Sequence, residues 1–166
     1  MAYTTIDDPT IYFDTLLYSG NGSNPRTLTG LNFQPDWVWL KNRTDNNGHT
    51  LADAVRGANK TLSSDGSGAE LTDKSDGHLD AFTSDGFTVG AGSGGDARVN
   101  DGSNTYVAWN WKAGTTSGIS GSPSITPSGY SFSQTAGFSI IAYTGNASVG
   151  ATIPHGLGVA PAVIIF

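Results

Sequence analysis

The chain repeats part of itself. Residues 138–148 (FSIIAYTGNAS) parallel residues 13–23 (FDTLLYSGNGS), anchored on Tyr-[Ser/Thr]-Gly-Asn-x-Ser, and residues 156–166 parallel residues 30–40. The offset between the copies changes by one residue between the two blocks. Self-similarity of this kind marks one supersecondary unit used more than once. The second copy reaches Phe166, the counterpart of Leu40, inside what reads as a central strand. An unpaired apolar strand invites aggregation. The expectation is therefore a longer protein of which this is the front portion, or a neighbouring subunit that completes the sheet.

The repeated unit reads as β-structure. Glycine supplies 23 of 166 residues, about twice the usual share, and good helix formers are scarce. Ile11, Phe13, Thr15 and Leu17 alternate at period two, residues 26–29 form a short strand candidate, and residues 36–41 are apolar on both faces. A strand of that last kind is normally central and covered on both sides. Residues 105–112 make the clearest strand, with Val107, Trp109 and Trp111 on one face and Tyr106, Ala108 and Asn110 on the other. Between them, Asp-Gly pairs at 65–66, 76–77, 85–86 and 101–102 predict successive hairpins. Residues 113–136 have the Gly/Ser/Thr/Pro composition of a linker. The organisation predicted is a polar segment at 1–9, a β-sandwich at 10–112, a linker at 113–136 and the first strands of a second sandwich at 137–166.

Several function classes fall away on composition. The absence of cysteine removes disulfide scaffolds, thiolate zinc sites and cysteine nucleophiles. A net charge of −6, with 13 Asp, one Glu and only eight Lys and Arg, argues against nucleic acid as the ligand, since phosphate neutralisation needs clustered cations. No apolar run is long enough to span a bilayer as a helix, and the first residues lack the basic and apolar regions of a secretory signal. His49, His78 and His155 share no zinc-hydrolase spacing and read as loop histidines. Glycoside hydrolysis usually needs two placed carboxylates; Glu70 and Asp73 are the nearest candidates, three apart on a predicted loop. Residues 73–80 carry carboxylates that could suit Ca²⁺, but as an ordinary polar turn they need no ion. Residues 90–96 are a glycine-rich loop without the strand and helix of a dinucleotide site. No cofactor or metal is expected, and no enzyme.

The two Trp-x-Trp pairs, Trp37/Trp39 and Trp109/Trp111, read first as sandwich core, because large rings fill such cores well. Their second reading is a ligand-facing platform for sugars, which would keep one pair exposed. The sequons at Asn21, Asn42, Asn59 and Asn146 read as turns.

A family resemblance rests on Tyr12-Phe13-Asp14-Thr15, Leu17-Tyr18-Ser19-Gly20-Asn21-Gly22-Ser23 and residues 31–43, continuing through Val55-Arg56-Gly57-Ala58, residues 84–90 and residues 106–114. These resemble the repeated module of marine bacteriophage (cyanophage-like) tail-fibre and appendage proteins, and the opening residues 1–9 are similar to the starts of such proteins. The resemblance implies a concanavalin-like or SPRY-like antiparallel β-sandwich of jelly-roll type. It also implies a structural virion component with other virion proteins as partners, homotrimers, and host surface glycans as a ligand. The polar N-terminal segment, with Tyr3, Ile6, Asp7 and Asp8, becomes the expected docking piece. A carbohydrate-binding module is the alternative, followed by a capsid decoration or adaptor protein and a polysaccharide-degrading enzyme.

Overall fold

The computed structural model describes residues 6–72, 75, 77–90 and 98–166. They form an all-β protein whose only helical element is a 3₁₀ turn at Pro9–Ile11. Nine strands follow: β1 (Phe13–Ser19), β2 (Arg26–Thr29), β3 (Trp37–Asn42), β4 (Thr50–Asp53), β5 (His78–Thr83), β6 (Gly86–Gly90), β7 (Thr105–Trp111), β8 (Gly129–Ser133) and β9 (Phe138–Ala142). All pairings are antiparallel. A four-stranded sheet in the order β1-β7-β3-β4 faces a three-stranded sheet β2-β6-β5, and β8-β9 is a separate hairpin. The expected antiparallel sandwich is present, and its strands lie within residues 10–112.

The core lies between the two sheets. Val38 and Leu40 on β3, Ala52 on β4, and Tyr106 and Ala108 on β7 meet Leu28, Leu79, Phe87 and Val89 from the smaller sheet. Leu16 and Tyr18 extend this layer onto β1. The Tyr18 ring stacks on Tyr106 at 5.0 Å, and its hydroxyl donates to the Val99 carbonyl at 2.5 Å. Burial, and secondarily the neighbouring Tyr106, pushes the Tyr18 phenol well above its ordinary range.

Three expectations change at this level. The inward row of β7 is Tyr106, Ala108 and Asn110, all fully buried, so the tryptophan row faces outward. Where both rows of a strand are apolar, period two does not say which one points inward. Here Tyr106 and Phe87 already supply the large rings that fit between sheets about 10 Å apart. Second, among the described residues one Asp-Gly pair makes a hairpin: Ser84 and Asp85 turn between β5 and β6, where Thr83 pairs with Gly86. Gly86 is needed there for close approach, since a Cβ would lie 1.9 Å from the Leu28 carbonyl oxygen. Asp101 instead caps a local turn, accepting from the Ser103 backbone N–H at 2.9 Å, and Asp65 holds His49 and Ser63. Asp76 lies outside the described residues.

Third, residues 113–136 are not simply a linker. Thr115 exchanges both backbone hydrogen bonds with Phe132, residues 129–133 form β8, and Ile125 and Phe132 are buried. Hydroxyls and backbone groups in this stretch find fixed partners, and its few spaced apolar residues supply the buried surface that its composition conceals. The repeat itself has a local structural counterpart. Asn21 and Asn146 each accept from the N–H two residues on, both at 3.0 Å, with Gly22 and Ala147 at positive φ (69° and 57°). Asn42 makes a similar turn with Thr44 and Asp45.

Candidate functional site

The outward face of the four-stranded sheet carries the residues that distinguish this chain. Register sets them in rows across β1, β7 and β3. The first row is Phe13, Trp111 and Trp37; the second is Thr15, Trp109 and Trp39; the third is Leu17, Val107 and Lys41. Side chains directly opposite on one face are the contacting pairs of a sheet. Trp111 accordingly lies 4.9 Å from Phe13 and 4.7 Å from Trp37, ring centre to ring centre, and Trp39 meets Trp109 edge-on at 6.0 Å. All four indoles are half-buried.

The two ends of this aromatic face differ. The first row is covered by the second repeat: the Phe138 ring on β9 stacks over Trp37 at 5.5 Å and over Trp111 at 6.0 Å. The cover is fastened by a buried carboxylate. Asp36, just ahead of β3, accepts from the Ala113 N–H at 2.8 Å through one oxygen and from the Ser131 hydroxyl at 3.2 Å through the other. Ser131 in turn accepts from the Gly114 N–H at 2.8 Å. A groove of about 380 Å³ over Asp36, Val55, Tyr130 and Ser131 marks this seam. Among the described residues no ring of the second repeat stacks on the second and third rows, although Val107 is buried and the His49 ring lies 5.8 Å from Trp39. The Trp39 indole N–H is committed to His49 Nδ1 at 2.7 Å, so this end offers ring faces rather than a free indole donor.

The tryptophans of both pairs thus come together on one surface, although sequence reading treated the pairs separately and placed them in the core. Asp36 and Ser131 went unmarked by it, since nothing local signals a buried carboxylate meeting a serine 95 residues away. The predicted docking residues are dispersed in role. Tyr3 lies outside the described residues, Ile6 is half-buried, Asp7 is exposed, and Asp8 caps the 3₁₀ turn by accepting from the Thr10 N–H at 2.9 Å and its hydroxyl at 2.7 Å.

The remaining candidates are in structural contacts. Glu70 pairs with Arg56 at 3.0 Å and Lys60 at 3.7 Å, and Arg56 also holds the buried Asp53. Asp73, the other candidate carboxylate, lies outside the described residues, as do most of the loop at 73–76 and residues 91–97. His78 corrects the expectation of a loop histidine: it is buried on β5, with Nε2 2.7 Å from Asp80. His49 and His155 are half-buried, and His155 Nδ1 accepts from the Leu157 N–H within a turn. A cleft of about 580 Å³ in the second-repeat half is lined by Pro123, Gln134, Thr152 and His155 among others, with no Asp, Glu, Lys or Arg among its lining residues. Among the described residues no three of His, Asp and Glu gather into a metal-binding set.

These features define an all-β sandwich module whose outer aromatic face receives the start of a second repeat. The chain belongs to the family described as a domain of unknown function, DUF7483, whose model matches residues 8–166 and so takes in both the sandwich and the second repeat. No curated protein and no solved structure matches the chain.

Proposed function

We propose that the protein is a structural component of a bacteriophage virion, the N-terminal portion of a tail-fibre or appendage protein. The observation that carries the architectural part is the seating of the second repeat on the first through Phe138 and Asp36. A sandwich that presents an aromatic face to the next repeat is a unit for building an extended array, since each repeat buries surface that its neighbour cannot bury alone. The virion context is supported by the sequence resemblance to phage appendage modules. Its partners are other virion proteins and further copies of itself in a trimer. Gold-labelled antibody against the sandwich tests the reading on purified particles of the virus encoding it. Labelling along a fibre or appendage is the expected result; particles that carry no label and no peptides of this chain would overturn it.

The open end of the aromatic face favours a second element, recognition of host surface glycans. Trp39 and Trp109 are half-buried, and among the described residues no ring of the second repeat stacks on them, the His49 ring meeting Trp39 at a tilt; ring faces of this kind stack on sugars. Glycan-array binding that is lost in Trp109→Ala while the fold is retained is the expected result. A flat array would leave the protein with its structural role alone.

A further inference from the structure

We infer that Asn47 is a site of spontaneous covalent modification: its side-chain amide is lost through a cyclic imide, leaving isoaspartate beside the open end of the aromatic face. Two Asn-Gly pairs occur in the chain, Asn21-Gly22 and Asn47-Gly48. In such a pair the glycine nitrogen can reach the asparagine Cγ, because glycine has no Cβ to crowd the approach or to restrict the backbone. The two pairs stand in opposite surroundings.

The first pair is held shut. The Gly22 N–H, which would be the nucleophile, donates to the Asn100 carbonyl at 2.9 Å. Asn21 Oδ1 accepts from the Ser23 N–H at 3.0 Å and from Asn100 Nδ2 at 3.1 Å, and the Asn21 N–H donates to Asn100 Oδ1 at 3.2 Å. Asn100 is fully buried. Ring closure at Asn21 therefore requires this network to open first.

The second pair is open. Residues 43–49 join β3 to β4. Among the described residues neither the Asn47 side chain nor the Gly48 N–H has a hydrogen-bond partner, and both residues are half-buried. What is held is the Asn47 backbone carbonyl, which accepts from the Lys41 ammonium. That carbonyl belongs to the amide that must lose its proton. A cation on its oxygen stabilises the negative charge the amide acquires as the proton leaves.

The chemistry balances with water and hydroxide alone. Hydroxide takes the Gly48 N–H proton, the nitrogen bonds to Asn47 Cγ, and the side-chain nitrogen departs as ammonia after taking a proton from water. Water then opens the ring at one of its two carbonyls. Attack at Cγ gives aspartate. Attack at the backbone carbon gives isoaspartate, in which the chain runs through Cγ and the former backbone carbonyl becomes a carboxylate. Lys41 already sits on that second carbonyl, so it polarises it toward water and keeps the product carboxylate as an ion pair. One extra methylene then separates residue 47 from Gly48. It must be absorbed next to His49, whose N–H is held by Asp65 at 3.0 Å and whose Nδ1 accepts from the Trp39 indole at 2.7 Å. The inference stands on loop chemistry and is independent of the virion reading.

The test incubates the full chain at mildly alkaline pH and follows both asparagines by peptide mapping. The amide-to-acid mass gain reports loss of ammonia, and isoaspartyl methyltransferase labelling reports the isomer. Asn47 should convert about tenfold or more faster than Asn21, because the Gly22 N–H must first leave the Asn100 carbonyl. In concentrated urea the two rates should converge. Lys41→Met, which keeps an apolar stem and removes the cation, should slow Asn47 several-fold and lower its isoaspartate share; Lys41→Arg should keep both near their original values. Melting temperature is the control for folding of the variants. Equal rates at Asn47 and Asn21 in the folded, unsubstituted chain would overturn the site whatever the variants do. An unchanged rate and product ratio in folded Lys41→Met would overturn the part given to Lys41.

Discussion

Replacing Asp36 by alanine should loosen the second repeat from the first while leaving the sandwich folded. The carboxylate accepts two hydrogen bonds, from the Ala113 N–H at 2.8 Å and the Ser131 hydroxyl at 3.2 Å, and Asp36, Ala113 and Ser131 are all buried. Hydrogen bonds to a charged group contribute about 1.5–3 kcal/mol each. The longer bond falls at or below the lower limit, and the Ser131 hydroxyl keeps the Gly114 N–H as a donor. The expected loss for Asp36→Ala is about 3 kcal/mol, most of it from the stranded Ala113 N–H. Asp36→Asn keeps one carbonyl acceptor for that N–H and should lose only about 1 kcal/mol. Because the backbone bonds Asp36 N–H to Trp111 and Ala54 N–H to Asp36 remain, the loss should fall on the chain leaving β7 at Ala113 and, through Ser131, on the seating of the hairpin. The assay is urea unfolding followed in parallel by far-ultraviolet circular dichroism and tryptophan emission. Emission from Trp37 and Trp111 should shift to the red before the sandwich unfolds, as Phe138 withdraws. A cycle with Ser131→Ala should give a coupling of about 1 kcal/mol, where independent sites add within about 0.5. If Asp36→Ala costs less than about 0.5 kcal/mol, the value of an ordinary surface change, with emission unmoved, the carboxylate does not fasten the repeats.

Three further outcomes follow from the same contacts. Phe138→Ala should weaken the seam by about 2 kcal/mol, combining lost ring contacts of about 0.5–1.5 kcal/mol each with reduced apolar burial; the accompanying red shift in emission should match that of Asp36→Ala. Gly86→Ala should unfold or strongly destabilise the smaller sheet, because the added Cβ lies 1.9 Å from the Leu28 carbonyl oxygen, which is backbone and held in the β2-β6 pair; soluble yield and melting temperature report it. Asp65 is held down to about 2, first by the Ser63 hydroxyl and then by the His49 N–H. A depressed carboxylate stabilises the fold above its unfolded value near 3.8, and that contribution is lost as pH falls toward 2. NMR titration should therefore show the 49–65 contact loosening across that window and not above it.

The sequence revealed strand positions more readily than strand facings. β3 and β7 were readable because Trp-x-Trp within an apolar run admits little but a half- or fully buried strand. Which row pointed inward was not readable, since Val38/Leu40 and Trp37/Trp39 satisfy period two equally. The choice is made by the opposing sheet, where Phe87 and Val89 already occupy the space. His78 was missed for a related reason: its burial depends on β6 across the ladder, with its ring against Gly90, and no neighbour in sequence announces that. The serine-rich stretch misled in the opposite direction. Composition measures how much apolar surface a segment can bury, not whether its hydroxyls meet a buried acceptor, and Ser131 does. The turn of the first repeated block, by contrast, recurs in both copies, because Asn at 21 and 146 fixes its own backbone locally and needs no distant partner, whereas residues 163–166, the counterparts of part of β3, form no strand.

That repeat explains why the aromatic rings sit outside the core. A sandwich needs apolar residues on two facing rows only; a third apolar row on an outer face is a liability unless something covers it. Phe13 and Phe138 hold equivalent positions, yet one packs beside Trp111 within its own sheet and the other stacks over Trp37 and Trp111 of the preceding repeat. The ring at the start of the repeat is thus a member of the outer row in the first copy and the cover of the preceding row in the second. An isolated domain has no use for that second role, whereas a tandem array needs it at every joint. The buried Asp36–Ser131 contact adds direction to the joint, since stacked rings tolerate sliding and a two-acceptor carboxylate does not. Trp37 and Trp111 are therefore joint surface, and the glycan recognition proposed above would fall to the Trp39 and Trp109 end.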